Sequence, residues 1–224
     1  MSWWTRKGRL GAWSAPVLTV GLDAVVVQND LLVGHLGCPV AGCGAVLGPW
    51  GWGRERLVRG AGRFRPRRAR CRGCRGTQVL LPASVLLRRA DAVCVVGAAL
   101  LAKAEGRGHR PIAAELGVPE STVRGWLRRV VVVAGRVLAV LSVAVAGLGA
   151  EFTAPAVTAN PVGAVVELLG ALAGAVARGL GGSCSPWRLA AVLTGGRLLA
   201  PAGPDLPAGW DLRCNTSSLW AAVR

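Results

Sequence analysis

Two close pairs of cysteines limit what this chain can fold into more than any other feature. Four residues separate Cys38 from Cys43, and two separate Cys71 from Cys74. Thiolates at such spacings close a tetrahedral zinc site, with residues 44–70 running out and back between the pairs as strands of a ribbon. Four free or buried thiols are the alternative, because cysteine is often simply an interior residue. The clustering of four of the seven cysteines within residues 38–74 favours Zn²⁺.

The other cysteines and a nearby histidine are isolated in the sequence. Cys94, Cys184 and Cys214 have no neighbouring cysteine and are interpreted as small core residues. His35 is a candidate substitute ligand, although a lone histidine is more often structural. An odd number of cysteines, the metal-like spacing and the lack of a convincing secretion signal predict a reducing compartment, the cytoplasm. A signal peptide is the alternative, because basic residues precede an apolar run near the N-terminus.

The chain carries a large excess of positive charge. Its net charge of +16 favours polyanionic partners, with nucleic acid first and an acidic membrane surface second. Between residues 54 and 75, Glu55 is the single acid among ten arginines, which are Arg54, Arg56, Arg59, Arg63, Arg65, Arg67, Arg68, Arg70, Arg72 and Arg75. A ribbon with such a face would bind phosphates. The predicted DNA contacts in it are Arg65, Arg67, Arg68 and Arg70, and a solvated basic loop is the alternative.

Residues 109–129 fit a DNA-reading helix-turn-helix. Because its two helices cross closely, the first needs a small residue and the turn needs a glycine, and Ala113 and Gly117 hold these positions. The predicted buried contacts recur at helical spacing and are Ile112, Leu116, Val118, Val123, Trp126, Leu127 and Val130. An ordinary helical hairpin is the alternative.

The other side of the second helix is predicted to face outward. Its mixture of charged and hydroxyl side chains can both bind phosphates and reach base edges. The predicted DNA contacts there are Glu120, Ser121, Thr122, Arg124, Gly125, Arg128 and Arg129. A helix predicted over residues 84–105 would complete a three-helix module.

These motifs together resemble a family of bacterial proteins that combine a zinc ribbon with a helix-turn-helix and are often described as transposase-like or homeodomain-like. The resemblance covers residues 20–130, roughly half of the chain. It is carried by Cys38-Pro39, Cys43-Gly44, Cys71, Cys74, Val79-Leu80-Leu81-Pro82, Arg88-Arg89-Ala90-Asp91, Gly108-His109-Arg110, Leu116-Gly117 and the segment 121–129. It implies DNA binding, and no catalytic activity comes with the resemblance. The four-residue spacing of the first cysteine pair is longer than the two residues expected in that family.

Shorter patterns predict elements around the ribbon. A helix over residues 23–32 begins with Asp23 as its N-cap. Trp50 and Trp52 alternate with glycine, so on a strand they would share one face and pack over the ribbon, with base stacking as an alternative. Residues 77–81 are predicted as a strand.

After residue 130 the chain becomes strongly apolar. Residues 130–150 and 154–182 are rich in Ala, Gly, Val and Leu, and Arg136 interrupts the first run. A central arginine costs about 2.5–3.5 kcal/mol on membrane-insertion scales, so an apolar helical bundle is predicted in preference to two membrane spans. A homodimer interface is one use for the surface of such a bundle. The predicted packing anchors are Trp187, Trp210 and Trp220.

The predicted fold is mainly α with a small β zinc ribbon, followed by a three-helix helix-turn-helix module and an apolar helical C-terminal region. Residues 1–22 are interpreted as an N-terminal segment and residues 23–82 as the zinc ribbon. Residues 83–130 are interpreted as the DNA-binding module, and residues 131–224 as the apolar helical region with a loop-rich tail.

Three classes of function remain open. The favoured class is a cytoplasmic, nucleoid-associated protein that binds double-stranded DNA as a transcriptional regulator or a mobile-element accessory. The second is a membrane-associated or protein-interaction module, and the third is a catalytic transposase. No enzymatic activity is expected, because two-metal phosphoryl transfer needs several converging carboxylates. After residue 130 the only acids are Glu151, Glu167, Asp205 and Asp211.

Overall fold

The structure is a computed structural model that describes residues 17–40, 42–147, 160–180, 183 and 185–204. About half of these residues are helical, and a small mixed sheet precedes most of the helices. The helices found in this part of the chain are α1 (Ala24–Val33), α2 (Val93–Ala104), α3 (His109–Leu116), α4 (Glu120–Gly147), α5 (Pro161–Leu180) and α6 (Pro186–Leu193). The strands are β1 (Val17–Val20), β2 (Leu47–Trp52), β3 (Arg56–Val58), β4 (Gly62–Phe64), β5 (Arg67–Cys71) and β6 (Thr77–Pro82).

A four-stranded sheet contains the predicted ribbon. Its strand order is β1-β6-β5-β2, with β1 parallel to β6 and the other neighbours antiparallel. Strands β2 and β5 run out and back between the two cysteine pairs as predicted, and β6 confirms the strand expected at residues 77–81. Strand β1 is an addition that no sequence pattern indicated, and its Leu18 lies opposite Leu80 of β6.

Helix α1 covers one face of this sheet, and its capping confirms the helix predicted over residues 23–32. The Asp23 side chain accepts hydrogen bonds from the backbone N–H groups of Val25 and Val26, at 2.7 and 3.3 Å. Val27 and Leu31 are buried against an apolar cluster on the sheet that comprises Val20, Leu36, Leu47, Ala69, Cys71 and Leu80. The packing of α1 on the sheet therefore fixes the position of the first cysteine pair, which follows the helix in the chain.

A two-stranded hairpin, β3–β4, contributes to a second, smaller core. Its Val58 packs with Leu81 and Val85 and with the start of α2. A Cβ added at Gly60, in the hairpin turn, would lie 2.7 Å from a methyl group of Val95. The hairpin turn and α2 can approach this closely only because residue 60 is glycine.

The helix predicted over residues 84–105 is wrong in its first part, because α2 begins only at Val93. Arg88 has a φ of 56°, a left-handed conformation that a right-handed helix does not contain. The Arg59 backbone of the hairpin exchanges hydrogen bonds with Ala90 and Ala92, both at 2.8 Å. The segment before α2 therefore satisfies its backbone partly through the ribbon, a long-range pairing that helical periodicity cannot reveal.

The largest apolar core is shared by α2, α3, α4, α5 and α6. Its large, fully buried side chains include Leu100, Ile112, Trp126, Leu141, Leu168, Leu169, Leu172, Leu189 and Leu198. Helix α4 is continuous over 28 residues and passes through residue 130 without a break. The apolar C-terminal helices thus pack on the helices that precede them in the chain.

A close approach between Trp187 and α2 holds α6 in this core. A Cβ at Gly97 would overlap the indole ring of Trp187, so the ring occupies the space that any other side chain would need. This contact confirms Trp187 as a packing anchor. Trp210 and Trp220 lie outside the described residues.

We predict opposite effects of alanine at two helical glycines. Gly97→Ala should destabilise the fold by about 1–3 kcal/mol because the Trp187 ring must move. Gly135→Ala in α4 is the matched control, since nothing lies within 4 Å of the added Cβ. It should raise the free energy of unfolding by about 0.5–1 kcal/mol through helix propensity. Urea denaturation measures both, and equal effects of the two substitutions would contradict the close approach.

Candidate metal centre and nucleic-acid interface

The four paired cysteines converge on one point. The Sγ atoms of Cys38 and Cys74 lie 3.7 Å apart, and those of Cys43 and Cys71 lie 3.5 Å apart. All four Sγ atoms lie within 4.8 Å of one another. A tetrahedral metal with bonds of about 2.3 Å to sulfur would separate its ligands by about 3.8 Å. The cluster therefore has the dimensions of a four-thiolate metal site.

Backbone hydrogen bonds set this convergence. The first pair lies between α1 and β2, where the Cys38 N–H donates to the Ala45 carbonyl at 2.8 Å. The second pair lies in the turn from β5 to β6, where the Cys71 N–H donates to the Gly76 carbonyl at 2.9 Å. A bond of 3.0 Å from the Arg72 N–H to the Val46 carbonyl joins the two turns. The sheet register thus brings the two cysteine pairs together.

Glycine is needed where the two turns touch. A Cβ added at Gly73 would lie 2.7 Å from the Ala45 Cβ and 3.5 Å from the Cys43 Sγ. Gly44, directly after the first pair, has a φ of 61°, in the left-handed region. Larger residues at position 73 would push the two halves of the site apart.

The thiols strongly affect one another's ionisation. Burial and the neighbouring Cys71 and Cys74 thiols raise the pKa of Cys38 to about 12. Burial also raises the pKa of Cys71. The backbone N–H of Cys74 and the Cys43 thiol lower this pKa by more than burial raises it, and the resulting pKa is about 6. The Cys71 thiol therefore loses its proton readily, whereas the Cys38 thiol keeps its proton. Four thiolates this close together require a bound cation to balance their charge.

His35 and Cys94 both lie outside the cluster. The His35 Nδ1 lies 3.3 Å from an Asp30 carboxylate oxygen, and His35 is not part of the four-cysteine group. Cys94 is exposed at the start of α2, so its interpretation as a core residue is wrong. Cys184 and Cys214 lie outside the described residues.

The four ribbon arginines predicted to contact DNA do not form one exposed row. Because side chains alternate along a strand, Arg68 and Arg70 lie on one face of β5 and Arg67 on the other. The guanidinium of Arg65 donates to the Gly53 carbonyl at 3.3 Å. Arg67 and Arg68 are half-buried, and the Nε atom of each has no hydrogen-bond partner. Both faces of the ribbon therefore carry positive charge.

The two ribbon tryptophans are exposed on opposite faces of β2, so the prediction that they share one face is wrong. The pairing of β2 with β5 shifts by one residue between Pro49 and Gly51, which is a β-bulge. Trp52 lies opposite Arg67, whereas Trp50 contacts Arg70 on the other face. A bulge reverses the alternation of side chains, and nothing in the alternating Trp and Gly pattern indicated it.

The surface at the start of α4 matches the sequence prediction. Gly117 ends α3 with a φ of 60° and allows the sharp turn into α4. Ala113 is buried where the helices meet. Leu116 is only half-buried, and the other predicted apolar positions are buried: Ile112, Val118, Val123, Trp126, Leu127 and Val130. The predicted DNA contacts Glu120, Ser121, Arg124, Arg128 and Arg129 are exposed, and Thr122 and Gly125 are half-buried. The polar and apolar faces of this helix are thus separated as predicted.

Arg59 joins the hairpin to the α3–α4 turn, a role that no sequence pattern indicated. Its Nη1 lies 3.4 Å from the carboxylate of buried Asp91 and donates to the Gly117 carbonyl at 3.4 Å. One guanidinium therefore spans the ribbon, the start of α2 and the turn before α4. The three residues are far apart in the sequence, and Arg59 is one of ten arginines in its segment.

The described residues thus combine a thiolate cluster, a basic ribbon and an exposed polar helix face. Thiolates favour soft or borderline metal ions, and arginines with hydroxyl side chains favour phosphates and base edges. Comparisons of this chain with protein-family models, with curated proteins and with solved structures return no match.

We predict one tightly bound metal ion per chain, held by the four clustered cysteines. Cys71→Ala removes a buried ligand and should abolish stoichiometric metal binding. The matched control is Cys94→Ala, which removes an exposed thiol outside the cluster and should retain the metal. Elemental analysis of the purified proteins gives the metal-to-protein ratio. A folded, metal-free wild-type chain would contradict the prediction.

Proposed function

We propose that this chain is a DNA-binding protein, acting as a transcriptional regulator or a mobile-element accessory. It reads double-stranded DNA with a helix-turn-helix formed by α3 and α4, in a three-helix module that α2 completes. The observation that carries the proposal is the exposed polar face at the start of α4. On the opposite side of the same helical turns, Val123 and Trp126 are buried and fix the position of α4 in the core.

The geometry of the turn supports this proposal. The small, buried Ala113 lets α3 and α4 cross closely, and the left-handed Gly117 makes the connection short. The reading helix of such a motif contacts base edges through the residues of its first turns. Exposed Ser121 and Arg124 have the side chains for this role, and Arg128 lies one turn further on, where a phosphate contact is expected.

The ribbon supplies the phosphate contacts in this proposal. Its exposed arginines carry charge beyond the helical module, and Glu55 is paired with Arg63 at 3.8 Å. The Arg59 contact with Gly117 ties the hairpin to the turn that precedes α4. Phosphate binding by the ribbon would therefore be coupled in position to base reading by the helix.

The metal in this proposal is Zn²⁺, with a structural role. Cysteine thiolates in tetrahedral arrangement are the ligands that structural zinc sites use, and four protein ligands leave no open position for catalysis. Zinc binding contributes about 10–16 kcal/mol in small modules, far more than the ribbon core of α1 and one sheet face can replace. Metal removal should therefore unfold the ribbon.

A protein-interaction or membrane-associated module is the second candidate. Two helices, spanning residues 120–146 and 161–178, are long and apolar enough to cross a membrane by length and composition, and core helices of soluble proteins pass the same test. On α4, Val131, Val132 and Val143 are exposed. Because half of the α4 window is buried against other helices, we favour a packed bundle with a homodimer interface over membrane insertion.

A catalytic transposase is the third candidate, and we expect no strand cleavage or joining. Among the described residues, several acids are paired with arginines: Glu55 with Arg63, Asp91 with Arg59, Glu115 with Arg107, and Glu120 with Arg110. Glu151, Asp205 and Asp211 lie outside the described residues. Incubation with labelled DNA ends and Mg²⁺ or Mn²⁺ tests this expectation. Cleavage abolished by Glu151→Ala or Asp211→Ala would establish catalysis.

We predict that two arginine substitutions will weaken duplex binding in different ways. Arg124→Ala should relax base preference at one or two base pairs and cost about 1–3 kcal/mol on the best site. Arg65→Ala should weaken all sequences alike and flatten the salt dependence by about 0.9 for each phosphate that is no longer neutralised. Sequence selection from a random pool, followed by anisotropy titrations at several salt concentrations, measures both.

Arg178→Ala on α5 is the matched control for these substitutions, because it removes the same charge from an exposed site in the C-terminal bundle. It should leave base preference unchanged. Equal losses on every sequence from both Arg124→Ala and Arg65→Ala would contradict the division of roles. Failure of the wild-type chain to bind any duplex would contradict the proposed function itself.

A further inference from the structure

The proposed duplex contacts do not include the exposed tryptophans of the ribbon. Trp50 and Trp52 are 51% and 52% exposed, a large apolar surface to leave in water. They lie on β2, an edge strand of the sheet, whose outer side has no strand partner among the described residues and one backbone hydrogen bond, from Leu47 to Leu36. Neither ring joins one of the apolar core clusters. Packing therefore does not account for them.

Each ring is paired with an arginine. The guanidinium carbon of Arg70 lies 4.4 Å from the centroid of the Trp50 ring, and that of Arg67 lies 4.4 Å from the centroid of the Trp52 ring. These are cation–π distances, and such contacts orient the ring as well as placing charge beside it. The two guanidiniums are themselves held, since Arg70 donates to the Arg75 carbonyl and Arg67 to the Gly51 carbonyl.

A third arginine lies on the Trp50 face. A Cβ added at Gly48 would lie 3.3 Å from the Arg72 Nε. The Arg72 side chain therefore lies directly over the backbone at Gly48. Gly48 pairs with Arg70, which places Arg70 and Arg72 on the same face as Trp50. The ring is thus an aromatic plane within a cluster of fixed positive charge.

We propose that these two Trp–Arg pairs bind unpaired nucleobases of a single-stranded nucleic acid. An indole offers a planar surface on which a base of any identity can stack, and the adjacent guanidiniums match the phosphates on either side of that base. Bases within a duplex are already stacked and cannot use these rings. An apolar protein partner would take the arginine charges out of water without pairing them, which is costly.

The bulge gives this site its form. By turning Trp50 and Trp52 to opposite faces of the edge strand, it creates two separate stacking positions instead of one continuous platform. A single strand that passes over this edge meets one ring on each side. Arg67 and Arg70 belong to the basic ribbon of the proposed duplex contacts, but the two tryptophans do not, so tryptophan substitutions test the two activities apart.

The experiment measures binding of a labelled oligodeoxythymidylate of about ten nucleotides by anisotropy. Trp50→Ala and Trp52→Ala should each weaken binding about fivefold to 150-fold, the effect expected from losing one stacked base. Trp→Phe at the same positions should retain most of the affinity, because the aromatic plane remains. Trp50→Leu keeps an apolar side chain without a plane and should behave as the alanine variant does.

Three controls isolate stacking from charge and from misfolding. Leu57→Ala removes an exposed apolar side chain from the neighbouring hairpin and should bind as the wild type does. An abasic oligomer of the same length should bind weakly and equally to all variants. Unchanged circular dichroism and metal content show that each variant is folded. An oligouridylate tells whether the site distinguishes RNA from DNA, and binding of either strand supports the proposal.

Two outcomes would contradict the proposal. If the tryptophan variants bind the oligodeoxythymidylate as tightly as the wild type, the proposal is wrong. The same holds if the abasic oligomer binds as tightly as the thymidylate, because charge alone would then explain the binding. The base preference of the same variants on duplex DNA should be unchanged, because the proposed base contacts lie on α4, so loss of single-strand binding leaves the proposed duplex reading intact.

Discussion

The convergence of four sulfur atoms is the constraint on which the N-terminal half depends. The first cysteine pair follows α1, and the second closes the turn between β5 and β6, so both ends of the ribbon meet at one site. A metal bound there would tie the helix that covers the sheet to the strands beneath it. The ribbon core is small, since one helix and one sheet face supply it. Metal–sulfur bonds at one end of the ribbon would compensate for that limited burial.

Local patterns in the sequence predicted much of this arrangement. The cysteine spacing indicated the cluster, Asp23 indicated the start of α1, and the periodicity after Gly117 indicated which face of α4 is buried. These signals are local because capping, turn closure and helical burial each depend on residues within a few positions of one another. The identity of the metal and the partner of the exposed helix face remain proposals.

The features that the sequence did not indicate all depend on distant contacts. Arg88 leaves the helical region where the backbone just after it, at Ala90 and Ala92, pairs with the hairpin. The bulge at Trp50 changes the face of a side chain without changing the residue pattern. The hydrogen bond between Arg59 and Gly117 joins residues 58 positions apart. Because arginine is so frequent in this chain, the sequence does not show which arginines have a structural role. Half-buried Arg89 is one of them, since it donates to the Leu199 carbonyl at 2.7 Å and so joins two distant segments.

The unbroken course of α4 has a mechanical consequence. A helix of 28 residues is a stiff rod about 42 Å long, with its polar face at one end and its other end packed against α5. Because the rod does not bend freely, a tilt of roughly 5° in the bundle displaces the far tip by about 4 Å. A small movement in the bundle therefore becomes a larger movement at the exposed end of α4. Anything that repacks α5 against α4 changes the direction in which that end points.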